Sequence, residues 1–214
     1  MFRLFCAMLF TLNRWTIIKN TDEEISKAVV LGAPHTSNWD LIFSMGGFHK
    51  INFPIKFFIK KEWLKYFPIN KILIAAGAVS VDRESKNATM VDKMAQAIKD
   101  SKEDIALLVT PEGTRKRNCK WKTGFYYTAI KAEVPIVLTY LDYAKKHAVF
   151  GPPFMPSGDY KKDMAIVKEY YKDVTPRHPE KFCLDIYQDD EGSSAEAAVK
   201  IEEKAEAKVK AERP

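Results

Sequence analysis

Cysteine is scarce in this sequence, with Cys6, Cys119 and Cys183 the only three in 214 residues. Their odd number, and the lack of any C-x-x-C or C-x-x-x-x-C spacing, argue against a disulfide framework and a zinc ribbon and point to a reducing compartment. Long apolar runs are missing too. The run at the N-terminus, Leu4 to Leu12, has nine residues, whereas a helix crossing a bilayer needs roughly 20. It does not read as a signal peptide either, because no small-x-small site follows and Asn13, Arg14 and Trp15 stand in its place. Two readings stay open for it: a first helix packed on the core, and an interfacial anchor. The sequence also contains no G-x-x-x-x-G-K-[ST], G-x-G-x-x-G or G-x-S-x-G, which removes the usual signals of a P-loop site, a dinucleotide fold and a serine hydrolase. His49, His147 and His178 have no metal-ligand spacing with one another or with cysteine, and no internal repeat is found.

What is present is an ordinary globular composition, 46% hydrophobic and 29% charged, enough for one sizeable core. Net charge is +6, but residues 189–214 hold five basic and eight acidic side chains, which leaves 29 basic against 20 acidic over residues 1–188. A basic body suits an anionic partner, and nucleic acid, a membrane surface and a phosphorylated substrate all qualify on charge alone.

Short apolar, β-branched runs alternate with segments of helical period, the pattern of an α/β domain with a mostly parallel central sheet flanked by helices. Residues 28–31, 55–59, 78–81, 105–109 and 135–140 read as strands. Ile105 to Val109 is apolar at every position, so both faces should be covered, as in a central strand. Met90, Met94 and Ile98 recur every four residues and mark a helix with one apolar stripe. Residues 122–133 and 163–172 also read as helices, and Ala148 to Gly158, with three prolines, as irregular edge or loop structure. Ala195 to Arg213 is rich in Ala, Glu and Lys with few apolar anchors, which predicts a solvated C-terminal helix.

Three strand ends carry candidate chemistry. Directly after the first strand comes Gly32-Ala33-Pro34-His35-Thr36-Ser37-Asn38-Trp39-Asp40, and ligands of open α/β sheets bind where strands end. Pro34 keeps Ala33 out of a helix, and Thr36 or Ser37 can cap one starting near Asn38. His35 then lies in the loop and Asp40 in the first helical turn. A carboxylate there can hold one imidazole nitrogen and leave the other to accept a proton from a hydroxyl. Ser37-Asn38-Trp39-Asp40 equally fits a capping box, in which the acid only closes the helix. The buried strand 105–109 ends in Thr110-Pro111-Glu112-Gly113-Thr114-Arg115. Glycine lets a ligand approach the backbone, and arginine can make a bidentate contact to phosphate. A third segment, Gly77 to Arg83, also ends a strand with an arginine, alternatively a surface Asp-Arg pair. With no nucleophile paired to the histidine, direct transfer to a bound hydroxyl is the simpler chemistry.

The combination resembles the glycerolipid acyltransferase superfamily typified by 1-acylglycerol-3-phosphate acyltransferase, and within it the small bacterial forms. The resemblance rests on H-x-x-x-x-D at His35 and Asp40, G-x-x-x-V-D-R from Gly77 to Arg83, P-E-G-T-R from Pro111 to Arg115, and V-P-I-V from Val134 to Val137, in the family's order. It implies transfer of a fatty acyl group from acyl-CoA or acyl carrier protein to the hydroxyl of a lysolipid, in phospholipid biosynthesis. His35 would be the general base and Asp40 its orienting partner. Arg83, Glu112, Gly113, Thr114 and Arg115 would shape the acceptor pocket. No cofactor, no metal and no covalent acyl-enzyme are implied. Val79-Ser80-Val81 replaces a bulkier, more aromatic run of many members, so acceptors other than lysophosphatidic acid, such as ornithine or glycine lyso-lipids, stay open.

A lipid substrate calls for the membrane surface, and this reading places the protein in the cytoplasm, peripheral on the inner face of the cell membrane. Arg3, Arg14 and Lys19 flank Phe2, Phe5, Leu9, Phe10 and Trp15, a mixture suited to an interface. Lys56, Lys60, Lys61 and Lys65, interleaved with Phe57, Phe58, Trp63 and Tyr66, offer a second contact unless those aromatics face the core. The expected organisation is an amphipathic segment over residues 1–20, an acyltransferase domain over 21–188 and a polar tail over 189–214. The competing reading is a non-enzymatic peripheral membrane adaptor with a vestigial site. Nucleic-acid binding has only the charge behind it and is set aside, since no helix-turn-helix, RNP or zinc signature occurs.

Overall fold

A computed structural model describes residues 1–21, 24–81 and 89–184 of the chain. The expected solvated helix after residue 189 and Arg83 both lie outside the described residues. Seven strands form one sheet in the order β1-β7-β6-β2-β5-β3-β4. They are β1 (Thr16–Lys19), β2 (Lys27–Gly32), β3 (Ile55–Lys60), β4 (Ala78–Val81), β5 (Ile105–Val109), β6 (Ile136–Asp142) and β7 (His147–Phe154). The five strands from β6 to β4 run parallel, and β7 meets β6 antiparallel, with β1 parallel to β7. Among the described residues six α-helices accompany them: α1 (Phe2–Leu12), α2 (Trp39–Lys50), α3 (Ile69–Ala76), α4 (Met90–Asp100), α5 (Gly124–Ala132) and α6 (Tyr160–Tyr171). This is the expected α/β domain with a mostly parallel sheet.

The central strands are apolar throughout because each of their faces is covered. Val29, Leu31, Leu107 and Ile136 point to a core closed by α4, α5 and α6. Val30, Ala106 and Val137, their neighbours in sequence, point the other way, to a core shared with α1 and α2. Alternating side chains of a parallel strand thus fill two separate cores. On one side the stripe Met94, Ala95 and Ile98 of α4 is buried as its period requires. That helix begins with a capping box: the Thr89 hydroxyl accepts from the Asp92 N–H at 3.1 Å while the Asp92 carboxylate accepts from the Thr89 N–H at 2.9 Å.

The N-terminal run forms α1, which packs on the core through one face and leaves the other exposed. Cys6, Ala7 and Phe10 of α1 are buried, while Leu4, Phe5, Met8 and Leu12 are exposed. Some residues assigned to an interface do other work. Phe10 is fully buried, Trp15 stacks on Phe43 at 4.8 Å, and Arg3 donates to the carbonyls of Ile55 and Ala76 at 3.0 and 2.9 Å. Phe57 and Phe58 are partly buried against the cores, and Tyr66 is exposed. The side chains of Lys60, Lys61 and Trp63 lie outside those described.

Helix α1 crosses α2 at Gly46, where an added Cβ would lie 2.6 Å from the Cys6 carbonyl oxygen and 2.8 Å from the Phe10 Cβ. Backbone cannot give way there as a flexible side chain would. Gly46→Ala should therefore lower stability by about 1–2 kcal/mol, overpacking outweighing the better helix propensity of alanine. Urea unfolding of the two proteins measures the difference.

Two expectations are corrected. Residues 148–158 are not all irregular, since 147–154 form β7. Its Pro152 and Pro153 fall beyond Phe150, where pairing with β1 stops and only β6 remains as a neighbour, so their missing N–H groups cost no ladder bond on that side. Cys119 and Cys183 form a disulfide with a Cα separation of 5.0 Å. The partners are 64 residues apart, so no local spacing could signal the pair, and the ground for inferring a reducing compartment is gone. Cys6 is a free, buried thiol, its pKa pushed up to about 11 by burial.

Candidate active site

Strands β2 and β5 are parallel neighbours with Leu31 opposite Val109, so the loops that follow them leave the same edge of the sheet side by side. Strand β6 flanks β2 on its other side and delivers Tyr143 to the same edge. His35, Glu112 and Tyr143 are thereby gathered from three segments that the sequence separates by up to about a hundred residues.

The Nδ1 atom of His35 lies 3.2 Å from the Asp40 Oδ2 atom. Asp40 stands in the first turn of α2 and is buried. Its Oδ2 also accepts the N–H groups of Thr36 and Ser37 at 2.9 and 2.8 Å, and its Oδ1 accepts the Tyr143 hydroxyl at 2.7 Å. The capping reading and the histidine-orienting reading describe one carboxylate. The helix starts at Trp39, one residue later than expected, and Asn38 as N-cap makes no side-chain capping bond. Burial alone would raise the pKa of Asp40, but the hydrogen bonds from His35, Tyr143 and Ser37 outweigh it and hold the carboxyl below its ordinary value. The ionised form is thus favoured where it faces the imidazole.

Glu112 lies beneath this loop rather than along the cavity. It is 4% exposed, and its Oε1 accepts the backbone N–H of His35 at 3.0 Å. Its Oε2 is buried without a hydrogen-bond partner among the described residues. Burial pushes its carboxyl up to about 7. Gly113 adopts φ +64°, a left-handed conformation that favours glycine, and Lys122 passes over it. The Thr114 hydroxyl accepts from the Lys116 N–H at 3.2 Å, and Arg115 donates to the Asn38 side chain.

A cavity of about 1150 Å³ opens at these residues. His35, Asp40, Gly113, Arg115 and Lys122 form part of its wall, and much of the rest is apolar, with Phe57, Phe58, Met90, Val91 and Met94 among the lining side chains. Of the residues singled out in the sequence, His35, Asp40, Gly113 and Arg115 meet at this cavity. Glu112 supports the His35 loop from behind, and Thr114 ties down its own loop. Tyr143 and Arg177 were not foreseen. Arg177 lies over the rings of Trp39 and Tyr143, at 5.5 and 5.8 Å from their centroids. Neither residue belongs to a sequence motif, and the one available signal for Tyr143 is its position just past the end of β6. Among the described residues there is no cluster of His, Cys, Asp and Glu able to hold a metal ion.

An α/β sheet whose strand ends bring together a histidine-carboxylate pair and a basic loop at an apolar cavity fits an acyl-transferring class of protein. Residues 16–141, more than half of the chain, match the acyltransferase family, and the chain belongs to it. Among curated proteins it is similar to the 1-acyl-sn-glycerol-3-phosphate acyltransferase of Haemophilus influenzae, 28% identical over 56% of this chain and 50% of that one. It is also similar to the probable 1-acyl-sn-glycerol-3-phosphate acyltransferase of Mycoplasma pneumoniae, 31% identical over 64% of this chain and 52% of that one. The chain thus spans about half the length of these relatives. The crystal structure of the 1-acyl-sn-glycerophosphate acyltransferase PlsC from Thermotoga maritima shares the fold, with a TM-score of 0.55 at 17% identity over 82% of this chain and 80% of that one.

Proposed function

We infer that the protein moves a fatty acyl group from an acyl-CoA or acyl carrier protein thioester to the hydroxyl of a lysolipid such as 1-acyl-glycerol-3-phosphate. The observation that carries this reading is the 3.2 Å contact between His35 and Asp40 at the mouth of a largely apolar cavity. With Nδ1 engaged by the carboxylate, Nε2 of His35 is the ring atom left to take the proton of the acceptor hydroxyl. The acceptor oxygen then forms a bond to the thioester carbon. The tetrahedral species collapses, the carbon-sulfur bond breaks, and the imidazolium returns its proton to the departing thiolate. Asp40 stabilises the imidazolium between these steps. Apolar walls suit an acyl chain, and Arg115 and Lys122 supply positive charge for the phosphate of acceptor or donor. Arg83 is assigned to the same acceptor pocket on its motif.

Access to lipid follows from the surface. Leu4, Phe5, Met8 and Leu12 of α1 are exposed, as are Phe67, Ile72 and Ile74 at α3. No helix among the described residues is long and apolar enough to cross a membrane. A peripheral position at a membrane surface accounts for both facts, with basic side chains drawn to anionic headgroups by about 1 kcal/mol each.

Purified protein mixed with acyl-CoA or acyl-loaded carrier protein and 1-acyl-glycerol-3-phosphate should release free thiol and form diacyl product, followed by a thiol reagent and by mass spectrometry. Absence of product with both donors across phosphate-bearing and amino-acid lyso-lipids, while binding to anionic vesicles persists, would favour the adaptor reading.

A further inference from the structure

The carboxylate that faces His35 is held from a second side by residues outside every motif of the sequence. Tyr143 donates its hydroxyl to the Asp40 Oδ1 atom at 2.7 Å. Its ring is fixed by Trp15, edge-on at 5.0 Å, and by Phe43 at 6.1 Å. The guanidinium of Arg177 lies over that ring and over Trp39. The side chains therefore form a hydrogen-bonded chain from Tyr143 through Asp40 to His35, with the Arg177 cation stacked over its first member. Arg177 lies beyond residues 16–141 that match the family, in the segment after α6, and the backbone N–H of the next residue, His178, donates to the Thr36 hydroxyl at 3.3 Å. That bond anchors the segment to the His35 loop.

We propose that Tyr143 and Arg177 are positioning residues of the acyl-transfer site, which fix the Asp40 carboxylate in the orientation that presents Oδ2 to His35. Tyrosine suits this role because its hydroxyl must be a donor. Burial, then the hydrogen bond to Asp40, raise its pKa, with Arg177 opposing, so it stays protonated. Arg177, over the rings of Tyr143 and Trp39, holds the tyrosine ring in place and adds positive charge beside it. A carboxylate bonded on one edge alone could rotate about χ2, whereas donors on both oxygens define a single setting. The charged and titratable groups facing this assembly are His35 from the loop after β2, Glu112 from the loop after β5, Tyr143 after β6 and Arg177 after α6.

The inference rests on His35 acting as the base. Its test pairs steady-state kinetics with a measurement that needs no turnover. Tyr143→Phe keeps the ring contacts and removes the donor. It should lower kcat by about 10- to 100-fold with KM unchanged. Without that donor Asp40 ionises at a higher pH, so the acid limb of kcat/KM should move upward. Arg177→Gln should act in the same direction and more weakly, and Arg177→Lys should restore only part of the rate, since an ammonium cannot reproduce a planar cation stacked over two rings. In the substrate-free protein, nitrogen NMR of the His35 ring should show a shifted Nδ1 resonance in Tyr143→Phe. An unchanged ring spectrum and pH profile would overturn the proposal. A rise in KM alone for Arg177→Gln would instead make Arg177 an anion contact and also overturn it. If the unmutated protein acylates no lysolipid, the acyltransferase reading fails on its own account, and the ring spectrum still decides whether Tyr143 orients the pair.

Discussion

Replacing His35 with alanine should lower acyl transfer by about 10²- to 10⁴-fold, the range that a positioned general base supplies, and should leave the protein folded. Two features separate the chemical loss from a structural one. The His35 side chain is 24% exposed, and among the described residues its hydrogen-bond partner is Asp40. The structural bond of the residue is its backbone N–H to Glu112, which alanine keeps. In the variant, Asp40 retains the N–H groups of Thr36 and Ser37 and the hydroxyl of Tyr143. Initial rates of thiol release and the urea midpoint, measured on the same preparation, check both halves. Retained turnover would remove His35 from the mechanism, and a large fall in the midpoint would show that the ring holds up the loop.

The division between what the sequence discloses here and what it hides follows the range of the interactions involved. Strand β5 is legible because every one of its five residues is apolar, which only a strand covered on both faces needs. Helix α4 is legible because its stripe has one period. The juxtaposition of His35 with the loop of Glu112 follows from two parallel strands in adjacent positions. By contrast, β7 carries two prolines and reads as a breaker, because its tolerance depends on where the pairing with β1 stops. The Cys119–Cys183 bond and the Tyr143 hydroxyl on Asp40 join residues 64 and 103 positions apart. Nothing in the local pattern of either partner registers such a contact. Motif residues were found for the half of the site contributed by the loops after β2 and β5, and missed for the half contributed after β6 and α6.

Glu112 is the residue whose motif role the structure alters most, and it should make the stability of the whole protein depend on pH. Burial raises its carboxyl from 4.5 to about 7, with the His35 N–H opposing, and Oε2 has no hydrogen-bond partner among the described residues. Below pH 4.5 the group is protonated in both folded and unfolded chains and costs nothing. Between 4.5 and 7 the unfolded chain releases the proton while the folded chain retains it, so its contribution to stability is lost as pH rises through the folded value. At about 1.4 kcal/mol per pKa unit, the cost by pH 8 is about 3 kcal/mol. Glutamine resembles the protonated acid: its carbonyl can still accept from His35, and it cannot ionise. Glu112→Gln should therefore match the parent protein near pH 4.5 and exceed it by about 3 kcal/mol at pH 8. Urea unfolding at several pH values measures the difference, and a gap that does not grow with pH would mean that Glu112 is ionised at neutrality. A neutral Glu112 also has a consequence for the site. With the proton in place, Asp40 is the only one of these two carboxyls to carry charge beside His35, so the histidine is oriented toward one acceptor rather than drawn between two.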